Sequence, residues 1–309
     1  MLKYSFVLPA YKGNFLKETI DSILMQSYKN FELIIVDDAS PDDIDKIVAE
    51  YNDVRIKYHR NSSNIGGRDL VAQWNKCLSY AQGEWVILAT DDDLYNSEFL
   101  AAINNGLTRH PEVDLYRARI CHCDKQMHIE IIENGMPDIV SQEEFMHRMQ
   151  TDLLGGIPQY VFRREKLLSI GGFYQCPMAY GTDGVTPCLL AANGVATSAQ
   201  VLVYFRNSGI NISSIGRYSH EKIVARFMSF ATMYNYIRSS FATDDTIRGY
   251  YGRKVLSSFA HWAKTDILTH LYMLPFYQRK QYLEWIMEKT PYLPRKQKYA
   301  MCYRTFVRK

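Results

Sequence analysis

The sequence has no uninterrupted apolar run long enough to span a bilayer. Its first residues lack the basic, apolar and small-residue succession of a secretory signal. Net charge is only +3 over 309 residues, too small an excess to argue for a nucleic-acid partner, and no basic stripe or RNA-binding signature crosses the first two-thirds. Six cysteines in a chain of this length, with no signal, read as reduced thiols of the cytoplasm. Cys121-His122-Cys123 looks like a ligand pair, yet it sits in an alternating strand pattern and has no second half, so it is set aside as a zinc site. There is no internal repeat and no low-complexity linker. The Gly-x-Gly-x-x-Gly of a dinucleotide dehydrogenase is missing after the first strand-like segment, as is the Gly-rich basic loop of a nucleotidyltransferase. Pro9-Ala10-Tyr11-Lys12-Gly13-Asn14 stands there instead.

What remains is an ordinary globular composition, 47% apolar and 22% charged, in a length that suits one large domain or one domain with an appendage. The first half alternates strand and helix. Tyr4–Leu8 reads as a strand, and Asn14 is positioned to cap a helix with Leu16, Ile20, Ile23 and Leu24 on one face. Phe31–Val36 is the next strand. Ser40 then caps a helix with Pro41 at its first position. Val54, Ile56 and Tyr58 alternate as a strand; Leu70, Trp74, Leu78 and Ala81 line a third helix, and Trp85–Ala89 is a buried strand. This order predicts an α/β fold with a mostly parallel central sheet and helices on both faces. Ligands in such sheets bind beyond the carboxyl ends of the strands. Polar clusters stand at three of those ends: Pro9-Ala10-Tyr11, Asp37-Asp38-Ala39-Ser40 and Asp91-Asp92-Asp93.

The run Thr90-Asp91-Asp92-Asp93 closes the most apolar of these strands. Three adjacent carboxylates repel one another and call for a cation. A hard divalent ion carrying a diphosphate would supply it, since carboxylate and phosphate oxygens suit Mn2+ or Mg2+. Taken alone, the run is equally an acidic loop start or a helix N-terminal cluster.

Val7-Leu8-Pro9-Ala10-Tyr11, Ile34-Ile35-Val36-Asp37-Asp38-Ala39-Ser40, Asn64-Ile65-Gly66, Asn75, Ala81-Gln82-Gly83-Glu84-Trp85 and Thr90-Asp91-Asp92-Asp93 together resemble the family 2 glycosyltransferases of the GT-A fold. The resemblance covers residues 3–210 and is most specific in the first hundred. It implies inverting transfer of a sugar from a nucleoside diphosphate donor, a UDP-sugar first among them, to a glycan or lipid-linked hydroxyl. The setting it implies is bacterial surface-polysaccharide synthesis at the cytoplasmic side. By the same resemblance, Pro9, Ala10 and Tyr11 flank the nucleobase, Tyr11 stacking on it, and Asp38 accepts the N3–H of a uracil-like base. Arg68 is the nearest basic residue for the base or phosphates, Trp74 standing where relatives carry an Arg. Asp91 lies near the ribose. Asp92 coordinates Mn2+ or Mg2+ as part of an Asp-x-Asp motif, with Asp93 completing the metal cluster. Gly171-Gly172-Phe173 followed by Thr182-Asp183 resembles the acceptor region, which makes Asp183 the catalytic base; an Asp at a helix start is also a common cap. Gly155, Gly156 and Arg206 are expected to touch phosphate or sugar, although Asn207-Ser208 stands where relatives carry a His. The rival from another class is a degenerate GT-A domain kept as a binding or assembly module.

Two domains are expected: 1–215, the GT-A domain, and 216–309, a helical, aromatic-rich and basic region. Residues 219–290 carry many aromatics, among them Phe227, Phe230, Tyr234, Tyr236, Tyr250, Tyr251, Trp262 and Phe276. The end carries Arg295, Lys296, Lys298, Arg304, Arg308 and Lys309 against no acid. One reading is a helical layer packed on the catalytic domain or on a second subunit. The other is a surface lying on anionic lipid at the inner face of the membrane.

Overall fold

The computed structural model describes residues 3–211, positions 225, 228, 232, 233, 235, 236, 239, 268, 271, 272, and the stretches 274–289 and 295–307. The aromatics expected to line a helical layer at Phe227, Phe230, Tyr234, Tyr250, Tyr251 and Trp262 lie outside the described residues.

Among the described residues, ten strands form one sheet. The first half supplies β1 (Tyr4–Ala10), β2 (Phe31–Asp37), β3 (Ile56–Arg60) and β4 (Trp85–Leu88), separated by α1 (Leu16–Leu24), α2 (Ile44–Ala49) and α3 (Leu70–Tyr80). They pair in parallel in the order β3-β2-β1-β4. Then follow β5 (Leu94–Tyr95), α4 (Phe99–Arg109), β6 (Leu115–Cys123), β7 (Ile129–Ile132), β8 (Ile139–Val140), α5 (Gln142–Thr151), β9 (Tyr160–Arg163), α6 (Arg164–Ser169), α7 (Thr182–Leu190) and β10 (Val195–Arg206). The sheet continues β4-β9-β6-β10-β5. β9 is antiparallel to both its neighbours, and β6 runs parallel to β10. Six strands therefore share one direction, and β9, β5, β7 and β8 oppose it.

The period of two in the central strands sorts side chains to two cores. Val7, Ile34, Val36, Val86 and Leu88 meet Val71, Trp74, Cys77 and Leu78 of α3. Phe6, Leu8, Leu33, Ile35 and Ile87 meet Leu16, Ile20 and Ile23 of α1 and Phe99 and Ile103 of α4. Both faces are covered, which is why β2 is buried throughout and its sequence is a nearly unbroken apolar run. Its one charge inside the run, Glu32, accepts from the Ser5 hydroxyl at 2.6 Å, Lys57 at 2.6 Å and the Gln82 N–H at 2.8 Å. Gly83 follows because a Cβ there would lie 2.7 Å from the Ser5 backbone nitrogen.

Two helix starts differ from the sequence reading. Asn14 does not cap α1, whose flanking residue is Phe15 with no side-chain cap. The helix expected from Ser40 and Pro41 begins at Ile44. The Ser40 hydroxyl instead accepts the Asp42 N–H at 2.9 Å within the preceding turn. Residues 40–43 are thus spent in a tight turn, and Ala39 just before it takes a left-handed φ of 53°.

Beyond β10, helices span Phe276–Lys289 and Arg295–Val307. Met233, Leu268, Leu271, Leu274 and Leu283 are buried in the same core as α3 and α5. The Gln142 side chain donates to the Tyr236 hydroxyl at 2.7 Å. Among the described residues no helix is long and apolar enough to cross a membrane.

Candidate functional site

The ends of β1, β2 and β4 meet at one edge of the sheet. Asp91 Oδ2 accepts the backbone N–H of Tyr11 at 3.1 Å and of Lys12 at 2.9 Å. The Asp38 N–H donates to the Ala10 carbonyl at 2.9 Å, and the Ser40 hydroxyl to the Tyr11 carbonyl at 2.5 Å. Pro9 and Ala10 lie within the last turn of the ladder, opposite Val36 and Asp37. The three polar clusters are therefore a single bonded surface.

Asp37 and Asp38 diverge sharply. Asp37 is fully buried and accepts from the Ser40 N–H at 2.8 Å, the Tyr58 hydroxyl at 2.8 Å and the Arg60 guanidinium. It shapes the turn from within. Asp38 points across to the loop before α3. Its Oδ1 accepts from Asn61 Nδ2 at 2.6 Å and the Ile65 N–H at 2.9 Å, its Oδ2 from the Gly66 N–H at 2.6 Å. This explains Asn64-Ile65-Gly66: a Cβ on Gly66 would stand 3.0 Å from Asp38 Oδ2. Tyr11, just after β1, is 39% exposed. Arg68 sits exposed on the same loop, its backbone tied to Ile65.

The acidic turn has three different carboxyls. Asp93 is fully buried; its Oδ1 accepts the Arg206 N–H at 2.8 Å and its Oδ2 meets the Thr90 hydroxyl. Asp92 Oδ2 accepts the Ser208 hydroxyl at 2.8 Å, leaving Oδ1 with no hydrogen bond from the described residues. Asp91 is held by β1 as above. Burial, and then the neighbouring Asp91, push the Asp92 carboxyl up to about 6. Burial raises Asp91 as well, and burial with Asp92 raises Asp93 well above the usual carboxylate range. The turn is short of positive charge.

The chemistry of the donor set bears on a metal. Among the described residues no cluster of three or more His, Cys, Asp or Glu side chains forms a complete metal site. A diphosphate-bound Mg2+ or Mn2+ needs only one or two protein carboxylates, the rest of its shell being phosphate and water. Asp92 Oδ1 is a hard oxygen of that kind, so the turn fits such an ion. Asp93, expected beside it in the metal cluster, has both oxygens engaged inside the fold.

Arg206 is corrected by its surroundings. It is 2% exposed, and its guanidinium donates to the Asp92 carbonyl at 2.9 Å, the Lys125 carbonyl at 3.0 Å and Glu18 at 2.5 Å. Its charge also lies 4.2 Å from the Phe15 ring centre. With its nitrogens committed to the protein, it braces the acidic turn from behind rather than meeting phosphate. Cys121 and Cys123 are buried on one face of β6, their sulfurs 3.7 Å apart, with His122 on the other face.

Asp183 stands in the first turn of α7, after Gly181 at a left-handed φ of 89°. It shares its space with Gly155, whose absent Cβ would lie 3.7 Å from Asp183 Oδ2. Gly156 packs against Ile120 and Phe205. The Gly171-Gly172-Phe173 turn is clamped by Asn75: its Oδ1 accepts the Phe173 N–H at 2.8 Å and its Nδ2 donates to the Phe173 carbonyl at 3.2 Å. A Cβ on Gly172 would fall 2.3 Å from that Oδ1. Phe173 then sets its ring edge-on to Trp74 and Phe162. Ser208, Asn61 and Glu18 carry structural work that sequence reasoning missed; none has a local spacing to its partner that would have revealed it.

A family model described as Glycosyl transferase family 2 matches residues 5–170. The Bacillus subtilis protein EpsE is 47% identical over 83 residues, 26% of this chain and 28% of that one. The Staphylococcus aureus poly(ribitol-phosphate) beta-N-acetylglucosaminyltransferase TarS is 33% identical over 104 residues, 32% of this chain and 18% of that one. The chain thus spans less than two thirds of the length of these curated relatives. Among solved structures, residues 1–349 of Staphylococcus aureus TarS in complex with UDP-GlcNAc superpose with a TM-score of 0.77 at 16% identity, covering 97% of this chain and 86% of that one. The mannosyltransferase PcManGT of Pyrobaculum calidifontis, in complex with GDP-Man and Mn2+, has a TM-score of 0.55 at 16% identity, over 97% and 84%.

Proposed function

The chain belongs to glycosyl transferase family 2, and on that premise we propose that it moves a sugar from a nucleoside diphosphate donor to an acceptor hydroxyl with inversion at the anomeric carbon. The observation that carries this reading is the bond between Asp91 and the Tyr11-Lys12 backbone, which joins an exposed aromatic to an acidic turn. A nucleoside diphosphate has a flat base at one end and two anionic groups at the other, and spans such a surface.

The base rests on Tyr11, with Asp38 beside it. Stacking on an aromatic is worth about 1–3 kcal/mol. Asp38 keeps acceptor capacity at Oδ2, which takes one hydrogen bond from the Gly66 N–H, and a carboxylate suits the N3–H of uracil. A UDP-sugar is the donor we assign, since the similar TarS structures hold UDP-GlcNAc and UDP. Arg68 reaches toward the phosphates from the loop that Asp38 holds. Asp91 meets the ribose, and Asp92 would hold Mn2+ or Mg2+ through Oδ1. When bound, the ion neutralises charge on the departing diphosphate. Asp93 and Arg206 set the turn's shape.

Asp183 accepts the proton of the acceptor hydroxyl as that oxygen attacks the anomeric carbon. The diphosphate leaves from the opposite face, so the configuration inverts. Gly155 keeps the space before Asp183 clear for sugar, and Gly156 lets the loop pack on Ile120 and Phe205. We assign residues 1–215 to this catalytic domain and 216–309 to a helical appendage packed on it, a division favoured by Leu268, Leu271 and Leu283 in the α3 core. The acceptor is a glycan or lipid-linked hydroxyl of a bacterial surface polymer, a class the TarS name supports.

A thermal-shift panel tests the reading. The protein is heated with UDP-, GDP- and dTDP-sugars, with Mn2+ or with EDTA; a ligand that binds the folded state raises the melting temperature. A metal-dependent rise with UDP-sugars is expected. No rise with any donor points to the degenerate binding module.

A further inference from the structure

The two residues before Gly156 are held in an unusual way. The Leu154 N–H donates to Glu133 Oε2 at 2.9 Å. The Leu154 carbonyl accepts from the Arg117 guanidinium at 2.9 Å and from Gln159 Nε2 at 3.2 Å. The Gly155 carbonyl lies 3.2 Å from His122 Nε2. Arg117 and Glu133 are themselves a buried bidentate pair, at 2.6 and 2.5 Å, each 1% exposed. Four side chains thus fix a loop segment that belongs to no strand or helix. A buried ion pair is weak evidence for stability, because desolvation offsets its Coulombic gain. Here its second use is plain: it grips both polar groups of Leu154.

His122 occupies the junction. On one side its Nε2 meets the Gly155 carbonyl, and the Cα of Gly155 faces Asp183. On the other its ring packs on Phe205, ring centres 4.7 Å apart. Phe205 directly precedes Arg206, whose N–H and guanidinium fix Asp93 and Asp92. A carbonyl oxygen only accepts, so Nε2 must carry the hydrogen. Burial lowers the pKa of His122, which favours the neutral ring.

We propose that His122 is a positioning residue: as the Nε2–H tautomer it ties the Gly155 carbonyl to the Phe205-Arg206 strand end, and so fixes the loop opposite Asp183 relative to the acidic turn. The proposal rests on Asp183 being the base. It assigns His122 no contact with substrate and no proton transfer.

The test uses the full chain and three variants. His122→Ala removes both contacts, His122→Phe keeps the ring on Phe205 without the donor, and His122→Gln keeps a side-chain N–H donor without the ring. Nucleoside diphosphate release is measured from a panel of UDP-, GDP- and dTDP-sugars with Mn2+, and UDP binding is measured by calorimetry. Ala and Phe should each lower kcat about 10-fold or more with UDP affinity unchanged, and Gln should restore a large part of it. In the Asp183→Asn background, His122→Phe should have no further effect, since residues acting as a unit are non-additive. Full kcat in the Phe variant, or an equal fall in both backgrounds, overturns the proposal; if Ala fails to fold, Phe carries the test. Selective 15N labelling of histidine supplies a reading independent of turnover: the Nε2–H tautomer is expected at His122, and the Nδ1–H tautomer overturns the clamp. Near-normal turnover in Asp183→Asn alone marks a failure of the base assignment instead, with the tautomer still judging the clamp.

Discussion

Asp91 Oδ2 accepts the backbone N–H of Tyr11 at 3.1 Å, across 80 positions of sequence. One carboxylate oxygen so joins the aromatic edge of the first strand to the acidic turn after the fourth. Oδ1 of Asp92 takes no hydrogen bond from the described residues. On the proposed reading, one bonded unit holds both the base and the diphosphate.

Removing the outward carboxylate should separate them. Asp92→Asn keeps the size of the side chain and loses its charge. The account expects metal-dependent UDP binding to weaken at least about 10-fold by calorimetry, since hard divalent ions depend on ionised oxygen ligands. Unchanged affinity with Mn2+ would move the metal away from Asp92.

Proton competition gives a pH dependence. Asp92 is pushed up to about 6 by burial and Asp91, so the folded protein holds this proton more tightly than the unfolded chain. Its contribution to stability is then present below the unfolded value, about 4, and is lost as pH rises toward the folded one. The ion needs the ionised form. Differential scanning should show the rise in melting temperature from Mn2+ and UDP growing between about pH 5 and about pH 7.5, because the carboxylate becomes available over that window. A rise of equal size at both ends contradicts this.

Asp183→Asn should leave donor binding intact and lower turnover by about 10²-fold or more, the share that a positioned base supplies. Calorimetry with UDP and steady-state release of UDP, run on the same preparation, read the two effects separately.

The Asn75 clamp predicts a cost in folding. Gly172 has a φ of +90° and room for no Cβ beside Asn75 Oδ1. Gly172→Ala should destabilise the protein by about 1–3 kcal/mol, measured as a lower urea midpoint at constant slope.

The sequence carried a good deal of this architecture. Strands such as Phe31–Asp37 are apolar runs because both faces are covered, and their order with the helices between them sets a parallel sheet. The meeting of Asp38 and the Asp91-Asp92 turn at one sheet edge was legible because polar residues follow these apolar strands within a few positions. What escaped depends on partners distant in sequence. Arg206 reads as a free cation until Glu18 and the carbonyls of Asp92 and Lys125 are seen around it. Asp93 reads as a second metal ligand beside Asp92 until the Arg206 N–H and the Thr90 hydroxyl occupy it. The antiparallel insertion of β9 leaves no trace in periodicity, because a buried strand has the same pattern in either direction. The late start of α2 was hidden because Ser40 and Pro41 suit a helix start and a tight turn alike.

The most direct measurement is a calorimetric titration of UDP into the protein, with Mn2+ and then with EDTA. The account predicts saturable binding at one site per chain with Mn2+, its loss in EDTA, and weaker binding of GDP. No binding under either condition, or binding indifferent to the metal, contradicts the claim that Tyr11, Asp38 and the Asp91–Asp92 turn form a metal-dependent donor site.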